Sequence, residues 1–162
     1  MVKTLNSWRY RPGFKLGASA DSKSKNSAAA RGIAYHRRVY KLLADFAQAP
    51  DEEAELLIEP WFQEINHSTN PPMRSPDAVL RYSDGTALII EVKLNWKDGR
   101  DEKLLQEYLP IVKSAFALEM CWPLMVTSCL RGYAHPPLLG LKQLHEAFAW
   151  EPGLPTPLLL LP

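Results

Sequence analysis

Cysteine is scarce in this sequence: Cys121 and Cys129 are the only two. A pair of thiols makes no disulfide framework and no four-ligand zinc site, so a reducing cytoplasm is the expected location. Long apolar runs are missing as well. The longest stretch of consecutive leucines, Leu158 to Leu161, is far short of the roughly 20 residues a membrane span needs. The opening MVKTLNSWRY holds no apolar segment resembling a signal peptide, and no membrane partner is expected. No internal repeat, ATP-binding loop or separate recognition module stands out.

What is present suits one domain. The 162 residues are 46% hydrophobic, with five tryptophans and 14 prolines, which excludes a chain disordered throughout and allows a single core. The net charge of +1 is unevenly spread. Residues 1–41 hold ten Lys and Arg against Asp21, a net +9, and the remaining 121 residues carry −8. A basic arm on a near-neutral protein points to a polyanion, nucleic acid before membrane.

Residues 1–25 read as a basic arm in which Trp8, Tyr10 and Phe14 can dock; residues 26–150 form the folded domain and 151–162 a proline- and leucine-rich tail. A helix is expected from Ser27 to about Phe46, with Tyr35, Val39, Leu42, Leu43 and Phe46 as its apolar stripe. A strand interrupted by Pro60 is expected within 56–65, and the next two strands are 77–82 and 86–94 around Ser83-Asp84-Gly85. A second helix starts near Asp101 and should kink at Pro110, which cannot donate to the Gln106 carbonyl. A strand over 123–130 and a short helix with Leu141, Leu144, Ala147 and Phe148 follow. The tail is expected to lack an element of its own, its leucines packing on the body or on a second subunit.

The segment SPDAVLRYSDGTALIIEVKLNW, 75–96, carries the chemistry. Its even positions (Ala78, Leu80, Tyr82, Leu88, Ile90, Val92, Leu94) are apolar, whereas its odd ones include Asp77, Arg81, Glu91, Lys93 and Asn95. Val79 and Ile89 imply that the odd face is covered too, by something such as the first helix. A three-residue loop with Gly85 in the left-handed position pairs Tyr82 with Thr86, which sets Asp77 opposite Glu91 with Lys93 on the same face. A two-residue Asp-Gly turn would separate the two carboxylates. Facing carboxylates repel unless something offsets the charge, and a hard cation such as Mg²⁺ is commonly held by one or two of them.

These residues resemble a known family. Pro76-Asp77 followed by Glu91-Val92-Lys93 is similar to the signature of the PD-(D/E)xK nuclease superfamily. Gly32-Ile33-Ala34-Tyr35-His36 resembles the GxxxH of its branch containing recombination exonuclease domains and CRISPR-associated helper nucleases. The resemblance covers about residues 27–130. It implies a restriction-endonuclease-like single α/β domain, a mixed central sheet flanked by helices, hydrolysing phosphodiester bonds in DNA with Mg²⁺ or Mn²⁺. It also implies that His36, Asp77, Glu91 and the Val92 carbonyl hold the metal while Lys93 serves the attacking water. Relatives of this branch carry QxxxY in the second helix; here Gln106 is present, but Pro110 replaces the tyrosine and Tyr108 lies nearby. Arg31, Arg37, Arg38 and Lys41 on the first helix, Trp96 past the lysine, and Tyr108 are the expected nucleic-acid contacts, with Glu59 and Glu64 as spare acids. A structure-selective junction resolvase, dimeric through the tail, and a non-catalytic nucleic-acid-binding protein in a recombination or repair assembly are the alternatives. RNA remains open as a substrate.

Overall fold

The computed structural model describes residues 7–14 and 28–162. Two sheets and three helical segments account for them. The larger sheet has five strands in the order β2 (Ala54–Ile58), β5 (Ala78–Tyr82), β6 (Thr86–Asn95), β7 (Met120–Cys129) and β8 (Leu158–Leu160). The pairs β2–β5 and β5–β6 are antiparallel, whereas β6–β7 and β7–β8 are parallel, so the sheet is mixed. A smaller sheet joins β1 (Trp8–Tyr10), β3 (Phe62–Glu64) and β4 (Met73–Arg74). Among the described residues no helix is long and apolar enough to cross a membrane.

The hairpin register follows from its turn. Gly85 has φ +86°, the left-handed conformation a three-residue loop requires. Ala78 consequently pairs with Ile90, Val79 with Ile89 and Leu80 with Leu88. The even residues Ala78, Leu80, Leu88, Ile90 and Val92 are fully buried in one core, under Tyr35, Val39, Tyr40 and Leu43 of helix α1 (Ala28–Ala47). Val79 and Ile89 lie in a second core with Phe62, Leu104, Tyr108 and Val112. The odd face is therefore covered by the second helical segment and the small sheet. The first helix, expected there, lies on the even face.

Three further differences have local causes. Pro110 does not kink a continuous helix: residues Leu104–Tyr108 form a π-helical turn, and α2 (Leu109–Ala115) starts after it with Pro110 in its first turn. Proline is tolerated there because the first N–H groups of a helix lack intrahelical partners. β7 begins three residues before the expected start and includes Pro123, paired with Ile89. β8 pairs only with Met125, Val126 and Thr127, so Pro123 occupies a stretch of β7 with no strand on that side, where a missing donor is tolerated. The leucine tail forms β8, with Leu158 and Leu159 buried. A parallel strand covered on both faces reads as an unbroken apolar run, without the alternation that marks a strand in sequence.

The described part of the N-terminal arm is docked. Trp8, Arg9 and Tyr10 pair with Glu64, Gln63 and Phe62, and Arg9 Nε and Arg11 Nη1 donate to Gln63 Oε1 at 3.0 and 2.7 Å. Deleting the arm would remove a strand as well as charge; Lys3, Lys15, Lys23 and Lys25 lie outside the described residues. The tail is equally integral. Leu159→Ala should cost about 2–5 kcal/mol of unfolding free energy, as large-to-small changes at fully buried sites do. Urea denaturation measures this, and a loss below about 1 kcal/mol would show that β8 does not contribute to the cooperative core.

Candidate active site

The main-chain ladder between β5 and β6 ends at Ala78–Ile90. Beyond it, side chains replace backbone partners. Asp77 N–H donates to Glu91 Oε1 at 3.1 Å, and Val92 N–H donates to Asp77 Oδ2 at 2.7 Å. Each carboxylate thus grips the opposite strand where the two begin to part. Glu91 is 6% exposed, and Lys93 Nζ lies 3.7 Å from its Oε2. The facing arrangement of Asp77 and Glu91, with Lys93 alongside, is the one the turn register predicts.

Burial dominates the electrostatics. It pushes the Glu91 carboxyl up to about 7, with the Asp77 charge adding to the rise and the Asp77 N–H and Lys93 opposing it. Asp77 is also raised by burial, against the opposing effects of the Val92 N–H, His36 and Lys93. Two carboxyl groups are therefore held in a place that disfavours their charge. The donors around them offset only part of the cost.

A second arm of the network comes from α1 and the end of β2. Tyr40 is buried, and its phenol is raised by burial and then by the Asp77 and Glu59 charges, so it stays protonated. Its hydroxyl donates to Glu59 Oε1 at 3.3 Å and lies 3.3 Å from His36 Nδ1. Because the tyrosine proton goes to Glu59, Nδ1 of His36 is the donor toward Tyr40. The same nitrogen is 3.8 Å from Asp77 Oδ1, which leaves Nε2 as the ring atom available to a ligand. Glu59 itself has φ +47°, a strained conformation for a residue with a Cβ, and is held by its N–H to the Asp77 carbonyl at 2.8 Å.

The other expected site residues are placed less uniformly. Val92 contributes its N–H to Asp77. Gln106 lies exposed on the π-turn, whereas Leu104 and Tyr108 are its buried residues. Lys103 Nζ stands 5.3 Å from the Tyr108 ring, and its charge also acts on Glu91. Arg31, Arg37, Arg38 and Lys41 are exposed along α1, Arg38 lying 5.7 Å over the Tyr35 ring. Trp96 packs edge-on to Tyr133 at 5.2 Å against the second core, a core cap by its contacts. Gly32 on α1 faces open space, where a Cβ would meet nothing within 4 Å. Glu107 is half-exposed and pairs with Arg74 at 3.6 Å.

Tyr40 and Lys103 were not singled out from sequence as functional residues. Tyr40 follows His36 by one helical turn, a spacing that puts both on one face, but a tyrosine beside Val39 and Leu43 of the apolar stripe reads first as core. Among the described residues no group of three or more His, Cys, Asp and Glu side chains is gathered so as to hold a metal ion. Burial first and the Asp77 charge second disfavour the charge on Glu91, so the two facing carboxylates are held at a cost. Comparison with known proteins adds no family to this geometry: no family model, curated protein or solved structure matches the chain.

Proposed function

We propose that this domain is of the restriction-endonuclease type and acts as a divalent-metal-dependent nuclease on DNA. The observation that carries the reading is the facing pair of half-buried Asp77 and buried Glu91, with Lys93 3.7 Å from Glu91 at the parting strands. Asp77 and Glu91 would hold Mg²⁺ or Mn²⁺, which supplies charge stabilisation at a phosphoryl group and a more acidic water. Lys93 orients that water, and its amine, when unprotonated, accepts the proton the water loses. Tyr40 and Glu59 hold His36 against Asp77, and His36 Nε2 is the nitrogen open to the ion. The exposed bases of α1 hold substrate phosphates.

The experiment is incubation of the purified protein with linear, circular, single-stranded and branched substrates, in Mg²⁺, in Mn²⁺ and in chelator. Cation-dependent cleavage supports the reading, and the pattern of products separates a general nuclease from a junction resolvase. A non-catalytic nucleic-acid-binding protein is the second reading. It is favoured by the backbone hydrogen bonds that already occupy one oxygen of each carboxylate; binding without cleavage of any substrate would establish it.

His36 has its own expected outcome. His36→Ala should weaken Mn²⁺ binding about tenfold in a calorimetric titration while the protein stays folded, since second ligands and their supports are commonly worth 10–100-fold in metal affinity. An unchanged titration with a lowered melting temperature would assign His36 to structure alone.

A further inference from the structure

Two cavities meet at the end of β2. One, of about 500 Å³, is lined by Gly32, Ile33, His36, Arg37, Tyr40, Ile58 and Glu59. The other, of about 440 Å³, runs past the same Ile58 and Glu59 to Arg11, Phe14 and Trp61. Ile58 and Glu59 therefore form a shared saddle, and Tyr40 and His36 join that saddle to Asp77. We infer that this double groove binds a single nucleic-acid strand with its bases unstacked. The inference rests on the nuclease reading for its substrate class and names the strand state that the site takes.

The walls suit bases more than a duplex. Ile33 and Ile58 are 51% and 46% exposed, and Phe14 and Trp61 stand edge to face at 5.8 Å. Apolar and aromatic surfaces of this kind are used by bases drawn out of a stack, because a duplex keeps its base faces inside. Arg11 lies 5.5 Å over the Phe14 ring at one end of the groove, and Arg37 lines the other. Arg11 gives one of its donors to Gln63, and a guanidinium has five. Glu59 between them repels phosphate and accepts hydrogen bonds, so the backbone runs along the arginine rims while base amino groups face the carboxylate.

Gly32 supports the same assignment. A glycine inside a helix costs about 1 kcal/mol relative to alanine, and no close neighbour explains it here. Its missing side chain leaves the α1 wall of the groove open where Ile33 and His36 line it. The strained φ of Glu59 is a second local cost at the same saddle.

Fluorescence anisotropy with a labelled single-stranded oligonucleotide and its duplex, in chelator so that neither is cut, tests the inference. The protein should bind the single strand more tightly. Gly32→Leu should reduce that affinity about tenfold while its melting temperature holds or rises, because leucine favours the helix and fills only the groove. Trp61→Ala should reduce it about fivefold or more, in the range of one lost base–aromatic stack. Wild-type affinity in both variants, or a tighter and equally affected duplex, would overturn the groove. A loss in Gly32→Leu together with no cleavage by the wild-type protein would keep the groove and remove the nuclease reading. Lys93-dependent cleavage with unaltered strand binding in Gly32→Leu would do the reverse.

Discussion

Lys93→Ala should lower cleavage at least about a hundredfold, the usual contribution of a positioned proton-transfer group, while strand binding stays within about twofold. Lys93 is the one member of the strand-end trio that holds no backbone group: Asp77 and Glu91 each bond the opposite strand, whereas the lysine Nζ sits 3.7 Å from Glu91 Oε2. Its removal therefore leaves the fork intact and takes away the group we propose meets the attacking water. A second consequence is electrostatic, since Lys93 opposes the rise of the Glu91 carboxyl. Lys93→Arg separates the two roles. Arginine keeps the charge beside Glu91 but holds its proton at all accessible pH values, so proton transfer predicts an inactive variant and a purely electrostatic role predicts recovery. Full activity in Lys93→Ala would remove the lysine from the site.

The second large effect is on stability. Glu91 has its folded-state carboxyl raised from 4.5 to about 7 by burial first and the Asp77 charge second. A raised carboxyl makes the folded state bind the proton more tightly than the unfolded one, so the charge costs stability above pH 7 and the cost fades as pH falls toward 4.5. Glu91→Gln removes the charge and keeps an oxygen for the Asp77 N–H. Without divalent cation the variant should exceed the wild type at pH 8 by at most about 3 kcal/mol, and the gap should close toward pH 5. Adding Mn²⁺ at pH 8 should raise the wild-type melting temperature and leave the variant nearly unchanged, because a bound ion stabilises only the state that binds it. A variant less stable than the wild type at pH 8 would instead mean that the Glu91–Lys93 pair stabilises the fold.

The hairpin and its carboxylates were legible in sequence for a physical reason. Alternation has a period of two, and a glycine in the left-handed position fixes loop length, so the turn alone sets Asp77 against Glu91. The face on which α1 packs was not legible, because Val79 and Ile89 announce cover without saying which element supplies it. β8 escaped because four leucines in a row carry no period. At the site, Tyr40 and Glu59 were obscured in different ways: the tyrosine reads as core, and the glutamate owes its position to a single positive φ after β2. Gln106 is exposed although its sequence position matches a known pattern, because the π-turn before Pro110 changes which residues of that segment turn inward.

A shared divalent cation, held by Asp77 and Glu91 for hydrolysis of a phosphodiester by water, is the proposed working part of the site. It is tested most directly by cleavage of an end-labelled single-stranded DNA, with purified wild-type protein and Asp77→Asn run side by side in Mn²⁺ and in chelator. Products are expected only for the wild type with Mn²⁺. Cleavage by Asp77→Asn at the wild-type rate, or none by the wild type on any substrate with either cation, would contradict it.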